Sequence, residues 1–142
     1  MKKLYLIFLL IALLAIAGCG SKQPSQPSTP TTQSTGSTEH IIKITADGFS
    51  PSTLTINQGD EVTWTNEDTK DSWPASAQHP THTAYPGSGI EKCGTSEQST
   101  IFDACHGLKP GGSWSFTFNE KGTWSYHDHI NFPGPFGKII VQ

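Results

Sequence analysis

The stretch Gln58-Gly59-Asp60-Glu61-Val62-Thr63-Trp64-Thr65-Asn66 decides the fold class of this chain. Its first three residues carry turn chemistry, with glycine supplying backbone freedom and aspartate a local hydrogen-bond acceptor. The residues that follow, Glu61 to Thr65, alternate polar and apolar and are rich in β-branched side chains, which predicts a strand. Working outward, the same signals recur in Ile41-Ile42-Lys43-Ile44-Thr45, Thr53-Leu54-Thr55-Ile56-Asn57 and Ser113-Trp114-Ser115-Phe116-Thr117-Phe118. Thr123-Trp124-Ser125-Tyr126-His127 and Lys138-Ile139-Ile140-Val141-Gln142 complete the set, and Asn119-Glu120-Lys121-Gly122 supplies a second turn. Strands flanking each turn are expected either as hairpin partners or as crossings between sheets. No stretch has a convincing helical period, and Pro or Gly interrupts nearly every long interval, so the expected class is all-β. Alternation puts Trp114, Phe116 and Phe118 on one face and Trp124 with Tyr126 on one face of the next strand, enough aromatic area for a sandwich core.

Outside these strands the chain divides into unlike parts. Met1-Lys2-Lys3 precedes an apolar run from Leu4 to Ala17, which is too short for a membrane-spanning helix and reads as an export signal over residues 1–18. Residues 20–38 are almost wholly Ser, Thr, Gln, Pro and Gly, with one charge at Lys22. Such a composition offers nothing that could offset the entropy of ordering it, and residues 19–38 are expected to form a disordered tether. Residues 39–142 have the size of one domain. They hold six lysines, no arginine and twelve Asp and Glu residues, a net charge of −6 with histidines neutral. That balance argues against nucleic acid and anionic lipid surfaces as partners.

One interval in the domain is anomalous. From Lys70 to Gly112 more than forty residues separate two clear strands, and an excursion this long is usually functional. It carries His79, His82, Cys93, Cys105 and His106.

Two resemblances organise these parts. Ile16-Ala17-Gly18-Cys19 resembles the lipobox of bacterial-type lipoproteins, which implies cleavage before Cys19, acylation of that residue and anchoring on the outer side of a membrane, at the cell surface or in the periplasm. The Gln58–Asn66 stretch, followed by Gly122-Thr123-Trp124-Ser125-Tyr126-His127 and the strand from Gly137 to Val141, is similar to the cupredoxin family of plastocyanin-like sandwiches. That resemblance implies a Greek-key β-sandwich with one copper at one end, here with a long loop insertion. The family's usual ligands are not matched. Its first histidine falls near Ser72 and Trp73, its cysteine on Asp128 and its second histidine on Asn131, and Met1 is the only methionine. Blue-copper chemistry needs a thiolate in the site, so no ordinary blue centre follows. With Cys19 assigned to lipid, Cys93 and Cys105 form an even pair in an exported domain and are expected to make a disulfide, the alternative being a free thiol ligand at Cys105.

Two histidine pairs remain. Pro80 keeps His79-Pro80-Thr81-His82 out of a helix interior, yet a tight turn can aim both imidazoles at one point. In His127-Asp128-His129, residues two apart on an extended strand share a face, so His127 and His129 can chelate one ion. Asp128 points the other way if the strand is regular and is the rival or additional ligand. Neutral imidazoles suit Zn(II), Cu(II) or Ni(II), and the stability order favours Cu(II), with zinc possible. His40 and His106 stay outside the set. Beside the second pair, Phe132-Pro133-Gly134-Pro135-Phe136 offers either a docking patch around the metal or simple loop packing.

The expected function is a lipid-anchored copper protein in carriage, buffering or relay, working with a redox or copper-handling protein partner. Alternatives are an electron-transfer copper protein, a small metalloenzyme with an open coordination position, and a metal-free structural or adhesive sandwich. Asp103 and Asp128 are the available carboxylates for enzyme chemistry.

Overall fold

A computed structural model describes residues 39–142. The signal segment, Cys19 and the tether lie outside the described residues. Among the described residues eight strands run in chain order as β1 (His40–Thr45), β2 (Gly48–Ser50), β3 (Thr53–Ile56), β4 (Glu61–Asn66), β5 (Pro74–Ser76), β6 (Ser113–Thr117), β7 (Gly122–Asp128) and β8 (Phe136–Val141). They form two four-stranded sheets, ordered β2-β1-β4-β6 and β3-β8-β7-β5. β1 lies parallel to β4 and β3 parallel to β8, and the other pairings are antiparallel. Both turns expected from sequence are sheet crossings: Gln58–Asp60 passes from β3 in one sheet to β4 in the other, and Asn119–Lys121 from β6 to β7.

Alternation along the strands fills the space between the sheets. Ile42, Ile44, Val62, Trp64, Phe116 and Phe118 meet Ile56, Tyr126, Ile139 and Val141. Trp64 is the centre of this packing, with ring centroids 5.2 Å from Trp114, 5.4 Å from Phe102 and 5.4 Å, edge-on, from Tyr126. Such aromatic pairs add about 0.5–1.5 kcal/mol each beyond the area they bury.

The excursion between β4 and β6 belongs to this core. Tyr85 and Phe102 are both buried in it, and the Tyr85 hydroxyl accepts the backbone N–H groups of Asn119 (3.0 Å) and Glu120 (3.2 Å). Both ends of the excursion are tied to Asn66, whose side-chain amide donates to the carbonyls of Lys70 and Leu108, each at 2.8 Å. Residues 102–104 run beside β5, with Ser76 N–H to Phe102 carbonyl at 2.8 Å and Ala104 N–H to Pro74 carbonyl at 3.0 Å. β5 is thereby flanked on both sides, by β7 and by this segment.

Candidate metal centre

The site is built on the end of β7. Tyr126 faces the core, so alternation sends His127 to the outer face of its sheet and Asp128 back inward. His129 lies one step past the strand, and its N–H donates to the Trp73 carbonyl at 2.8 Å. That bond prolongs the β5–β7 ladder, in which Ala75 is the partner of His127, and brings His129 out on the same face as His127.

The other two histidines arrive from a closed loop at the end of β5. Ala77 N–H bonds to Ser125 carbonyl (2.9 Å) and Ala84 N–H to Ala77 carbonyl (2.8 Å), so the loop leaves and returns at one place. Within it, His82 N–H reaches back to Gln78 carbonyl at 2.8 Å, and His82 adopts a left-handed backbone with φ 58°. For a residue with a Cβ that conformation costs about 1–2 kcal/mol. It turns the imidazole inward, where it is fully buried. Strain of this kind concentrates at functional sites.

The four rings converge. Taking one ring nitrogen from each of His79, His82, His127 and His129, all lie within 4.8 Å of one another. His82 Nε2 is 2.9 Å from His129 Nδ1, and His79 Nδ1 is 3.4 Å from His127 Nε2. His82 and His127 are buried, His129 is half-buried and His79 is exposed, so the cluster opens to solvent on the His79 side. Burial, reinforced by the neighbouring charges of His82, His79 and His129, pushes the His127 imidazole down to about 4. His129 is lowered for the same reason, with burial first and His82 and His79 after it. These two rings therefore remain neutral, with a lone pair available, at neutral pH.

Behind His82 stands a carboxylate to which the sequence assigned no place at the centre. Asp103 Oδ2 is 2.5 Å from His82 Nδ1, and both side chains are sealed from solvent. Asp103 Oδ1 accepts the Trp73 indole N–H at 2.6 Å and the Cys105 backbone N–H at 2.7 Å. The Trp73 ring packs on His129 with centroids 4.5 Å apart. The only advance sign of these roles is the presence of an acid and an aromatic in the regions that flank the histidines.

The remaining candidates fall elsewhere. Asp128 lies on the inward face, where its carboxylate accepts Ser72 Oγ (2.6 Å), Asn131 Nδ2 (2.8 Å) and the N–H groups of Trp73 (3.1 Å), Ile130 (3.1 Å) and Asn131 (3.3 Å). It is outside the group of converging donors. Cys93 and Cys105 are joined in a disulfide with Cα atoms 5.3 Å apart. His40 pairs with Asp60 at 2.9 Å, and His106 is exposed beside the disulfide. Phe132 stacks on His79 at 4.2 Å between centroids, with planes 10° apart, and Phe132 and Phe136 stay about half exposed.

Two mixed sheets in this order around an aromatic core give the described residues a cupredoxin-like β-sandwich fold. The chain is similar to the purple cupredoxin from Nitrosopumilus maritimus, with a TM-score of 0.54 and 24% identity over 73% of this chain and 100% of that one. It is also similar to amicyanin: a Cu(I) form of a methionine-to-alanine mutant gives a TM-score of 0.52 and 20% identity, and an oxidised methionine-to-leucine mutant 0.53 and 21%, each over 73% of this chain and 82% of that chain. No protein-family model and no curated protein matches the sequence. Among the described residues no helix is long and apolar enough to cross a membrane.

Proposed function

We propose that this protein is a lipid-anchored, extracytoplasmic copper-binding protein that holds Cu(II) with His79, His82, His127 and His129 and serves to carry, buffer or relay it. The observation that carries this reading is the convergence of four imidazole nitrogens, drawn from two elements far apart in sequence, within 4.8 Å of one another. Ring nitrogens bound to one ion at about 2.0–2.1 Å stand about 2.8–3.4 Å apart as neighbours. The pairs at 2.9 and 3.4 Å lie in that range. Imidazole donors suit Cu(II), which also leads the divalent stability order, and zinc is the second choice.

Donor chemistry favours carriage over rapid electron transfer. Cys93 and Cys105 are bonded to each other, Cys19 is the expected point of acylation, and Met1, the only methionine, precedes the expected cleavage point, so no sulfur ligand is expected in the set. Copper, when bound, supplies one-electron chemistry. An all-nitrogen set suits Cu(II) better than Cu(I) and makes cycling between them costly. The exposed His79 gives the cluster an open side through which an ion can be exchanged, and the apolar Phe132 and Phe136 beside it suit a copper-handling protein partner.

The test is retention. The purified protein, equilibrated with Cu(II) and dialysed, is expected to keep one equivalent with an electron paramagnetic resonance spectrum of nitrogen ligation. Retention of no copper, or a thiolate-to-copper charge-transfer band, overturns the reading. Anchoring is checked separately: incorporation of labelled fatty acid into the expressed protein should be lost in Cys19→Ser.

A further inference from the structure

We propose that Asp103 is the positioning residue of the centre, fixing the tautomer of His82 so that Nε2 presents its lone pair to the other three histidines. The inference rests on the metal-site reading for its purpose, though not for its geometry.

Three contacts define the carboxylate completely. Oδ1 is held by two donors, the Trp73 indole N–H at 2.6 Å and the Cys105 backbone N–H at 2.7 Å. That leaves Oδ2 aimed at His82 Nδ1, 2.5 Å away. Because a carboxylate only accepts hydrogen bonds, the proton of a neutral His82 belongs on Nδ1. Nε2 is then bare, 2.9 Å from His129 Nδ1 and within the converging group. Metal-binding histidines are commonly oriented in this way by a carboxylate on the far ring nitrogen, and losing such a partner costs about 10–100-fold in affinity.

The fold places Asp103 for this task. Ala75 pairs with His127 on one side and with Asp103 on the other, and cross-strand partners project from the same face of a sheet. Asp103, Ala75 and His127 thus share the outer face, with only a methyl group between acid and imidazole. Cys105, whose N–H holds Oδ1, has a left-handed backbone with φ 59° and is tied to Cys93, so the donor is anchored by a covalent bridge. Trp73 acts twice, holding Oδ1 through its indole N–H and packing its ring on His129.

Asp103→Asn separates positioning from mere support of the fold. Its carbonyl oxygen can still accept from Trp73 and Cys105, which puts the amide NH₂ where Oδ2 was. A donor there makes His82 Nδ1 an acceptor and moves the ring proton to Nε2, pointing into the cluster. The size and neutral hydrogen bonds of the site are kept while the tautomer reverses.

The experiment reads tautomers by long-range proton–nitrogen correlation spectra of the metal-free protein, then Cu(II) affinity and the count of coordinating nitrogens by electron paramagnetic resonance. In the native protein His82 is expected as the Nδ1–H form. In Asp103→Asn it should become the Nε2–H form, with affinity lowered about 10–100-fold and one nitrogen fewer on copper. A native His82 in the Nε2–H form overturns the proposal, and this holds even should the variant fail to fold. Unchanged affinity and nitrogen count in a folded Asp103→Asn overturn it as well. A native protein that retains no copper, with His82 nonetheless in the Nδ1–H form, overturns the metal reading and leaves the positioning geometry standing.

Discussion

The two faces of β7 at its final turn solve different problems. On the inward face, Asp128 gathers five hydrogen bonds from Ser72, Trp73, Ile130 and Asn131. On the outward face, one residue to either side, His127 and His129 meet His79 and His82, ring nitrogen to ring nitrogen. The cupredoxin resemblance puts the places of the usual copper ligands near Ser72 and Trp73, on Asp128 and on Asn131, and these residues are joined through the Asp128 carboxylate. A step of one residue along a strand exchanges its faces. Here that step separates a carboxylate network on the inward face from a cluster of four imidazoles on the outward face. On the proposed function, the frame of the fold is kept while the metal donors lie on the opposite side of the same strand.

The strongest way to break this comparison is to disable the outward face alone. His127→Ala with His129→Ala removes two of four donors and should lower Cu(II) affinity ~1000-fold, equivalent to ~4 kcal/mol, measured by competition with a chelator. Metal-free stability should fall far less. Next in size, Asp128→Ala strands several buried donors and is expected to destabilise the domain by ~3 kcal/mol in urea denaturation. Its copper resonance spectrum should match the native one. If Asp128→Ala changed the nitrogen ligation instead, the two faces would be one site and the contrast would collapse.

The contrast also explains what could be read in advance. Six of the eight strands among the described residues, all but β2 and β5, were legible because burial between two sheets imposes period two, and Trp64, Phe116, Phe118 and Tyr126 show it. β5 carries no such signal: Pro74-Ala75-Ser76 has no β-branched or aromatic residue, and its place is set by hydrogen bonds from β7 and from residues 102–104. Tyr85 and Phe102 sit in the core without periodicity, because an irregular segment fixes each side chain by its own backbone geometry. The four histidines were visible as two pairs. Asp103 was not assignable, since its contact with His82 depends on a left-handed turn and on a bridge to Ala75, neither of which is written in local composition.

The disulfide is the next probe, because Cys105 supports the outward face only. Cys93→Ser with Cys105→Ser releases a loop closed over twelve residues of separation and should cost ~3 kcal/mol on the chain-entropy model. Unlike Asp128→Ala, it should also weaken copper binding, through the Cys105 N–H that steadies Asp103. Acidity tests the same face without mutation. In the metal-free protein His127 is held near 4 while an unfolded histidine titrates near 6.5, so between these values the unfolded chain binds the extra proton. Stability is then expected to fall as pH drops from about 6.5 to about 4. Urea midpoints across this range check the sign, and His127→Ala should flatten the slope.

The smallest effect is expected where the outward face meets solvent. Phe132 stacks on His79, the one exposed ring of the four, and makes no contact that holds Asp128 in place. Phe132→Ala removes a stacking pair of about 0.5–1.5 kcal/mol, shared between the ordering of an exposed loop and the orientation of His79. Copper affinity should drop only about threefold, with global stability unchanged, since 0.6 kcal/mol is less than half of the 1.4 kcal/mol that makes a factor of ten. A much larger loss would mean that His79 is oriented by its stack alone and that the open side of the cluster is a hinge. No loss at all would mean that the Gln78–Thr83 turn is already sufficient, which would place the whole ordering of the outward face in the backbone bonds of the loop.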